Sequence, residues 1–141
     1  MKLNTTINDI EIVKLPFFSE NNGSLIVIQG LEQVPFNIKR IFTVISNKDN
    51  TRGEHAHQNC TQFLNCPSGV IEVNVDDGEN TFTYILDDPS IGLLIPPKIW
   101  AKQSYIKKNS LLNVVCDSDF DEEEYIRDYK KFKQLKLKLK L

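Results

Sequence analysis

The chain lacks the features of membrane-embedded and disulfide-rich proteins. No apolar run approaches the roughly 20 residues that a membrane helix needs, and the first residues, MKLNTTINDIEIVKL, show no signal peptide. Cys60, Cys66 and Cys116 form an odd set without a CxxC pair, which favours buried free thiols in a reducing compartment. We therefore predict a soluble, cytoplasmic protein that is not associated with a membrane.

The chain also lacks an excess of charge of one sign. Its 17 basic and 19 acidic residues give a net charge of −2, so no nucleic-acid partner is expected. The closing LKLKLKL could be an edge strand, a frayed helix end or disorder, and a solvated tail is the simplest interpretation. Without repeats or a linker, residues 1–141 are expected to form a single domain.

Long helical patterns are absent from most of the chain, and short β-branched runs take their place. Clusters of Gly, Pro, Asn and Asp separate these runs. The clearest pair is VIEVNVDDGENTFTYIL, an alternating hairpin that turns at DDGEN. The eight predicted strands cover residues 10–15, 24–29, 40–46, 61–66, 70–75, 81–86, 91–96 and 111–117. This spacing predicts an antiparallel sandwich or barrel.

One helix is predicted, at about residues 119–134. Ser118 or Asp119 would cap its start, and the acidic residues 121–124 would fill its first turn. Four aromatic residues at helical spacing would form its apolar face: Phe120, Tyr125, Tyr129 and Phe132.

Histidine is scarce, and both histidines, His55 and His57, lie in TRGEHAHQNC. In a strand they would face the same side. This stretch resembles the first metal-binding motif of the cupins, but Gln62 stands where metal cupins carry glutamate, and Ala101 stands where they carry a further histidine. Because a transition-metal site generally needs three or four ligands, we predict no metal and an acid–base role for the pair.

Three segments together resemble the sugar 3,4-ketoisomerases of the cupin superfamily. They are RGEHAHQNCTQFLNCPSGVIEVNVDDG, LDDPSIGLLIPPKIW at 86–100 and FDEEEYIRDYKKF at 120–132. The similarity runs from about residue 40 to residue 132. It implies an all-β cupin double-stranded β-helix (jelly-roll) with its core at about 10–117, followed by the short C-terminal α-helix.

The resemblance also implies function. The expected enzyme is a homodimer without metal or cofactor. It would convert a dTDP-linked 4-keto-6-deoxy sugar into a 3-keto sugar, the precursor of an amino sugar for surface polysaccharide. The chain departs from the family at Phe42, where a tyrosine is common, and at Ala101, where histidine or arginine is common.

The reaction predicts roles for individual residues. We expect His55 to move the proton between C3 and C4, and His57 to hydrogen-bond the sugar oxygens. A guanidinium suits a phosphate, so Arg52 and Arg40 are candidates for substrate binding, with Gln62 in the pocket.

Two further residues could have structural roles. Trp100 could stack on the substrate or be a core residue. For Arg127, a salt bridge with a nearby acid is the simplest expectation.

Three alternatives remain at this stage. A dTDP-sugar 3,5-epimerase would use a histidine–aspartate pair and a tyrosine acid, which the RGEHAH pattern fits less well. A non-catalytic sugar-binding cupin is compatible with the departures at Phe42 and Ala101. A metal-dependent, dioxygenase-type cupin is disfavoured by the number of ligands.

Overall fold

The computed structural model describes residues 2–47 and 49–141. Within these residues the chain forms twelve strands and one α-helix. The strands are β1 (Glu11–Lys14), β2 (Phe17–Glu20), β3 (Gly23–Ile26), β4 (Arg40–Ile45), β5 (Asn50–His57), β6 (Gln62–Ser68), β7 (Ile71–Asp76), β8 (Thr81–Leu86), β9 (Ile91–Ile95), β10 (Trp100–Tyr105), β11 (Leu111–Cys116) and β12 (Tyr125–Ile126). The helix, α1, is Tyr129–Lys140, and short 3-10 turns lie at Ile7–Asp9 and Glu122–Glu124.

Two antiparallel five-stranded sheets make up most of the fold. One has the order β1-β9-β6-β11-β4 and the other the order β12-β5-β10-β7-β8. Neighbouring strands within a sheet are mostly distant in the sequence, and the chain crosses repeatedly from one sheet to the other, as in a double-stranded β-helix. β2 and β3 form a separate hairpin. The predicted all-β cupin architecture with one short C-terminal helix is confirmed.

The principal core lies between the two sheets. Alternate residues of the strands point inward, so Val73 and Val75 are fully buried while Asn74 between them is half-buried. Leu64 and Leu93 of the facing sheet belong to the same cluster.

The hairpin predicted at 70–86 is confirmed. β7 pairs with β8 from Ile71 opposite Leu86 to Asp76 opposite Thr81. The turn is closed by an aspartate, because Asp77 Oδ1 accepts from the backbone N–H groups of residues 79 and 80.

The predicted helix boundaries are wrong. The helix begins at Tyr129, about ten residues later than expected, and Asp128 caps it by accepting from the N–H groups of residues 130 and 131. The acidic residues form a 3-10 turn capped by Asp121 instead. The 3-10 turn and β12 fill the stretch that the sequence had assigned to the first turns of the helix.

The closing Leu-Lys repeat belongs to α1, so the solvated-tail interpretation is also wrong. Lys136 is only 4% exposed. Its ammonium donates to the backbone oxygens of Thr5 and Lys98 at 2.6 and 3.0 Å. The repeat therefore ties the C-terminal end of the chain to its N-terminal segment. None of the helices in the described residues is long and apolar enough to cross a membrane.

Candidate active site

An irregular pairing shapes the strand that carries the histidines. On the neighbouring strand β10, Ala101 faces His55, but the next residue, Lys102, faces Gly53. Glu54 is therefore the extra residue of a β-bulge. Gly53 has φ +91° and Glu54 has φ +55°, both in the left-handed region. A glycine at the first of these positions relieves the strain that a side chain would suffer.

The bulge brings Arg52 to the same side as His55. Residues three apart on a regular strand point to opposite faces, yet Arg52 and His55 line one open cavity of about 450 Å³ between the sheets. Because the bulge adds one residue between them, Arg52 and His55 point to the same face of the sheet. The side chain of Arg52 makes no hydrogen bond or ion pair with any described residue, so its guanidinium is free to meet an anion.

The cavity has a polar side and an apolar side. Its apolar wall includes Phe42, Val44, Leu64, Leu112 and Val114. Its polar wall includes Arg52, His55, Gln62, Gln103, Tyr125 and Arg127. A site that is partly apolar, with a few converging polar groups, is typical of small-molecule binding. His57 lies deeper and lines an adjoining cavity of about 20 Å³ together with His55 and Gln62.

The protonation of His55 follows from one hydrogen bond. Its Nδ1 lies 3.0 Å from the carbonyl oxygen of Gly53, and because a carbonyl only accepts, Nδ1 must carry the hydrogen. Burial lowers the pKa of His55 below its usual value, although the bond to Gly53 opposes this effect. The ring is therefore neutral at pH 7, with Nε2 as the unprotonated nitrogen.

His57 is buried more deeply. It is 6% exposed, and neither ring nitrogen has a hydrogen-bond partner among the described residues. Burial, followed by repulsion from His55, Arg40 and Arg127, lowers the pKa of His57 to about 3. The two histidine rings meet edge to face with their centroids 5.0 Å apart. The predicted placement of both histidines on one side of a strand is confirmed by the cavity that they share.

Tyr125 packs against both histidines. Its ring centroid lies 4.9 Å from that of His55 and 4.5 Å from that of His57. The guanidinium of Arg127 lies 4.4 Å from the centre of the Tyr125 ring and pairs with Glu122 at 2.7 Å. The salt bridge expected for Arg127 is therefore present.

Arg40 lies beside the cavity and is not among the residues that line it. Its guanidinium donates to the hydroxyl of Tyr125 at 3.4 Å and to the sulfur of Cys116 at 3.5 Å. Gln62 also donates to the sulfur of Cys116, at 3.5 Å. Of the two arginines considered for substrate binding, only Arg52 thus faces the open cavity.

Trp100 is not brought to the site. Its ring packs against Tyr129 and Phe132 of α1, at centroid distances of 5.2 and 5.6 Å. It joins a small cluster with Ala56 and Ile126 and lines neither of the two histidine cavities. Trp100 therefore lies as a partly buried residue against α1.

Several residues of the site are not indicated by the sequence patterns. Gln103 and Tyr105 lie on β10, which was not recognised as a strand although WAKQSY alternates weakly. Burial raises the pKa of Tyr105 to about 12. Tyr125 was assigned to a helix face, whereas it pairs with His57 in β12.

The ligand set for a metal is incomplete. Among residues 2–47 and 49–141, no group of three His, Cys, Asp or Glu side chains is arranged to hold a metal ion. Gln62 and Ala101, the residues at the remaining cupin ligand positions, both line the small cavity beside the histidines. An amide and a methyl group do not replace a carboxylate and an imidazole.

The fold and the inward-facing histidine pair define a protein of the cupin class. Comparison with known proteins identifies the family within this class. The family model named "FdtA: WxcM-like, C-terminal" matches residues 8–137. A TDP-4-oxo-6-deoxy-alpha-D-glucose-3,4-oxoisomerase from Aneurinibacillus thermoaerophilus is 31% identical over 132 residues, which cover 93% of this chain and 95% of that protein.

Solved structures agree with this result. QdtA, a sugar 3,4-ketoisomerase from Thermoanaerobacterium thermosaccharolyticum crystallised with TDP, superposes with a TM-score of 0.91 at 29% identity, covering 96% of this chain and 100% of QdtA. A histidine-to-asparagine variant of QdtA holds TDP-4-keto-6-deoxyglucose. A 3,4-ketoisomerase from Helicobacter canadensis gives a TM-score of 0.88 at 35% identity, covering 92% of this chain and 98% of that one. The chain belongs to the FdtA-like family of sugar 3,4-ketoisomerases.

Proposed function

We propose that this protein is an isomerase that moves the keto group of a dTDP-4-keto-6-deoxyhexose from C4 to C3. Family membership supports the reaction, because the relatives are named as 3,4-oxoisomerases and 3,4-ketoisomerases. The single observation that carries the mechanism is the hydrogen bond from His55 Nδ1 to Gly53 O. It leaves Nε2 unprotonated in a cavity-lining side chain, as a general base requires.

The reaction needs only proton transfers. The carbonyl at C4 acidifies the proton on C3, and His55 Nε2 removes that proton to give an enediol. The proton then returns to C4, while the hydroxyl proton at C3 passes to the oxygen at C4. A ketone is left at C3, no net electrons are gained or lost, and no cofactor is consumed.

His57 is the second catalytic residue in this proposal. Its ring is neutral, and neither of its nitrogens has a partner among the described residues. A neutral imidazole has one donor and one acceptor, so it can hydrogen-bond a sugar oxygen and move the hydroxyl proton between O3 and O4. Burial of an unpartnered imidazole is costly, and a bound sugar would satisfy it.

Binding of the substrate is assigned to Arg52 and Gln62. Arg52 has a free guanidinium at the open cavity, suited to the diphosphate. Gln62 and Gln103 line both the open and the small cavity and can meet the sugar hydroxyls. The TDP bound by QdtA supports a dTDP-linked substrate. Arg40 and Trp100 act through protein contacts in this proposal, because each is engaged by neighbouring side chains.

We also propose that catalysis is independent of metal. The incomplete ligand set among the described residues supports this. No nucleic acid or membrane takes part in the proposed reaction.

We also propose that the protein is a single domain, forms a homodimer and is cytoplasmic. One observation supports the homodimer and another supports a reducing compartment. The β2–β3 hairpin exposes Phe17, Phe18 and Leu25 at 46, 60 and 56%, more apolar surface than an isolated hairpin usually shows to water. The three cysteines are free and buried, as expected in a reducing compartment. The product would enter deoxysugar synthesis for surface polysaccharide.

Isotope exchange tests the reaction class. We would incubate dTDP-4-keto-6-deoxyglucose with the protein in deuterium oxide and locate the deuterium by NMR. The proposal predicts a 3-keto product, with any deuterium confined to C3 and C4. Deuterium at C5 would indicate a 3,5-epimerase, and unchanged substrate that still binds would indicate a sugar-binding protein.

A further inference from the structure

A group of side chains next to the histidines is centred on a sulfur atom. This sulfur cluster consists of Arg40, Cys60, Gln62 and Cys116. Cys116 is fully buried and Cys60 is 2% exposed. The sulfur of Cys116 accepts hydrogen bonds from Arg40 and Gln62, each at 3.5 Å, while the thiol of neighbouring Cys60 donates to the carbonyl oxygen of Thr61 at 3.5 Å. The proposed reaction gives none of the three cysteines a role.

All the side-chain partners of the Cys116 sulfur are donors. A guanidinium has no acceptor, and the amide of Gln62 meets the sulfur through its nitrogen. The Cys116 sulfur donates to no acceptor among the described residues, so a thiol hydrogen on it would have no partner. A thiolate fits this environment, because it accepts and does not donate.

Arg40 has no carboxylate counter-ion among the described residues. It is half-buried and forms no ion pair with an Asp or Glu in the described part of the chain. Its other contacts are the hydroxyl of Tyr125, at 3.4 Å, and the rings of Phe42 and Phe120, whose centres each lie 5.4 Å from the guanidinium carbon. Removing part of a guanidinium from water without a counter-ion is unfavourable. Cys116 is the group in direct contact with Arg40 that can carry a negative charge at neutral pH.

We propose that Cys116 is a thiolate, that it is the counter-ion of Arg40, and that it acts as a positioning residue for the histidine pair. The path is short. The thiolate holds the Arg40 guanidinium, Arg40 holds the hydroxyl of Tyr125, and the Tyr125 ring packs against His55 and His57. The role in positioning rests on the proposed isomerase function, whereas the thiolate itself does not.

The charges around the sulfur support this state. The neighbouring Cys60 side chain has the largest lowering effect on the pKa of Cys116, and the hydrogen bonds from Arg40 and Gln62 add to it, against the effect of burial. The Cys116 side chain and burial both raise the pKa of Cys60, so Cys60 keeps its proton. Asp117, which follows β11, opposes negative charge at Cys60 and is itself held by the backbone N–H of residue 61. Tyr125 is the titratable group that faces the cluster from β12.

The chain offers a matched control. Cys66 is 1% exposed and lies on the same strand as Gln62, but its sulfur donates to the carbonyl of Ser68 and contacts no guanidinium. Burial raises the pKa of Cys66. Cys66→Ala therefore removes a buried thiol of the same size without touching the sulfur cluster.

The first readout is the ultraviolet absorbance of thiolate, which needs no substrate. We expect the wild type and Cys66→Ala to show one thiolate at pH 7.5 that disappears on acidification, and Cys116→Ala and Cys116→Ser to show none. Equal absorbance in the wild type and Cys116→Ser at pH 7.5 would overturn the proposal. This result stands whether or not the protein proves to be an isomerase.

The second readout is the division between kcat and KM. Loss of the counter-ion should misplace Tyr125 and the histidines, so Cys116→Ser should lower kcat about 10-fold to 100-fold with little change in KM. Cys66→Ala should keep the wild-type kcat. If Cys116→Ala is too unstable to assay, Cys116→Ser decides the matter, because it keeps the shape and loses only the charge. A kcat for Cys116→Ser equal to that of the wild type would refute the positioning role.

Discussion

At the scale of single residues, His55 and His57 have different environments despite their spacing of two. His55 reaches the open cavity and has its hydrogen fixed on Nδ1 by Gly53, whereas His57 is buried with both nitrogens unpartnered among the described residues. The difference explains why one ring suits proton abstraction at carbon and the other suits hydrogen bonding to oxygen. The sequence shows the pair but not this division.

Replacement of His55 tests the assignment of the base. Asparagine can keep a hydrogen bond to Gly53 but cannot take a proton from carbon. His55→Asn should lower kcat by about 10²-fold to 10⁴-fold and leave the melting temperature and the affinity for dTDP nearly unchanged. A variant with wild-type turnover would place the base elsewhere. Gln58→Asn, at a half-buried position next to His57 that lines neither cavity, serves as the control and should keep full activity.

His57 should make stability depend on pH. Its pKa is about 3 in the folded protein, whereas the ordinary pKa of histidine is 6.5, so the unfolded chain binds more protons between these values. Stability is therefore full above pH 6.5 and is lost as pH falls. From pH 7.5 to pH 5 the loss from this residue should be about 2 kcal/mol.

Denaturant unfolding at the two pH values measures this loss. His57→Gln cannot titrate, so its free energy of unfolding should fall by about 2 kcal/mol less than that of the wild type over the same interval. An identical fall in both proteins would show that His57 is not held neutral.

At the scale of secondary-structure elements, the bulge in β5 decides which residues share the site. Gly53 has φ +91°, and a Cβ there would lie 2.6 Å from Gln103 Oε1 and 3.1 Å from the carbonyl oxygen of Ala101. Gly53→Ala should therefore destabilise the protein by about 1–3 kcal/mol. It should also lower kcat, because both Arg52 and the acceptor of His55 depend on this backbone. Equal melting temperatures for the variant and the wild type would contradict this role of the bulge.

The start of α1 gives a second test at this scale. Asp128 accepts from two N–H groups of the first turn, so Asp128→Ala should cost about 1 kcal/mol of stability. Asp119, which the sequence suggested as a cap, is exposed and lies outside the helix. Asp119→Ala should leave the melting temperature unchanged. A larger loss at Asp119 than at Asp128 would contradict the observed start of the helix.

The strands could be predicted to the extent that they alternate locally. The β7–β8 hairpin was predicted because inward Val73 and Val75 alternate with polar residues and a glycine-containing turn follows. β10 was missed because its alternation is weak. The helix start was misplaced because Ser118 and the acids after it have the composition of a helix start, while the pairing of Tyr125 with His57 is a long-range contact that composition does not encode.

The candidate site likewise contains some residues that local patterns predict and others that only the pairing of distant strands brings together. His55, His57 and Gln62 were predicted from local patterns, and the structure brings them to shared cavities. Gln103 and Tyr125 depend on the register between distant strands. The contact of Arg40 with Cys116 likewise depends on the pairing of β4 with β11, so neither spacing nor motif could have indicated it.

At the scale of the whole molecule, apolar side chains are exposed on the edge strands of both sheets and on the separate β2–β3 hairpin. β4 is an edge strand and exposes Ile41 and Ile45 at 60 and 68%. Edge strands with apolar side chains favour pairing with a second copy. The proposed homodimer would cover this surface together with the β2–β3 hairpin.

Sedimentation of charged variants tests the homodimer. Phe18→Asp on the hairpin should shift the protein from dimer to monomer at micromolar concentration. Phe82→Asp is the matched control, because Phe82 is 52% exposed on β8 at the edge of the other sheet, and this variant should remain dimeric. A monomeric wild type, or a dimer unaffected by Phe18→Asp, would contradict the proposed interface.

The central claim is that the histidine pair isomerises the keto sugar without a metal. The most direct measurement is proton NMR of dTDP-4-keto-6-deoxyglucose mixed with chelator-treated wild-type protein and, in parallel, with the His55→Asn variant. The account predicts signals of a 3-keto sugar with the wild type, whose couplings give the configuration at C4, and unchanged substrate with the variant over the same time. Unchanged substrate with the wild type, or turnover that returns only when a divalent metal is added, would contradict it.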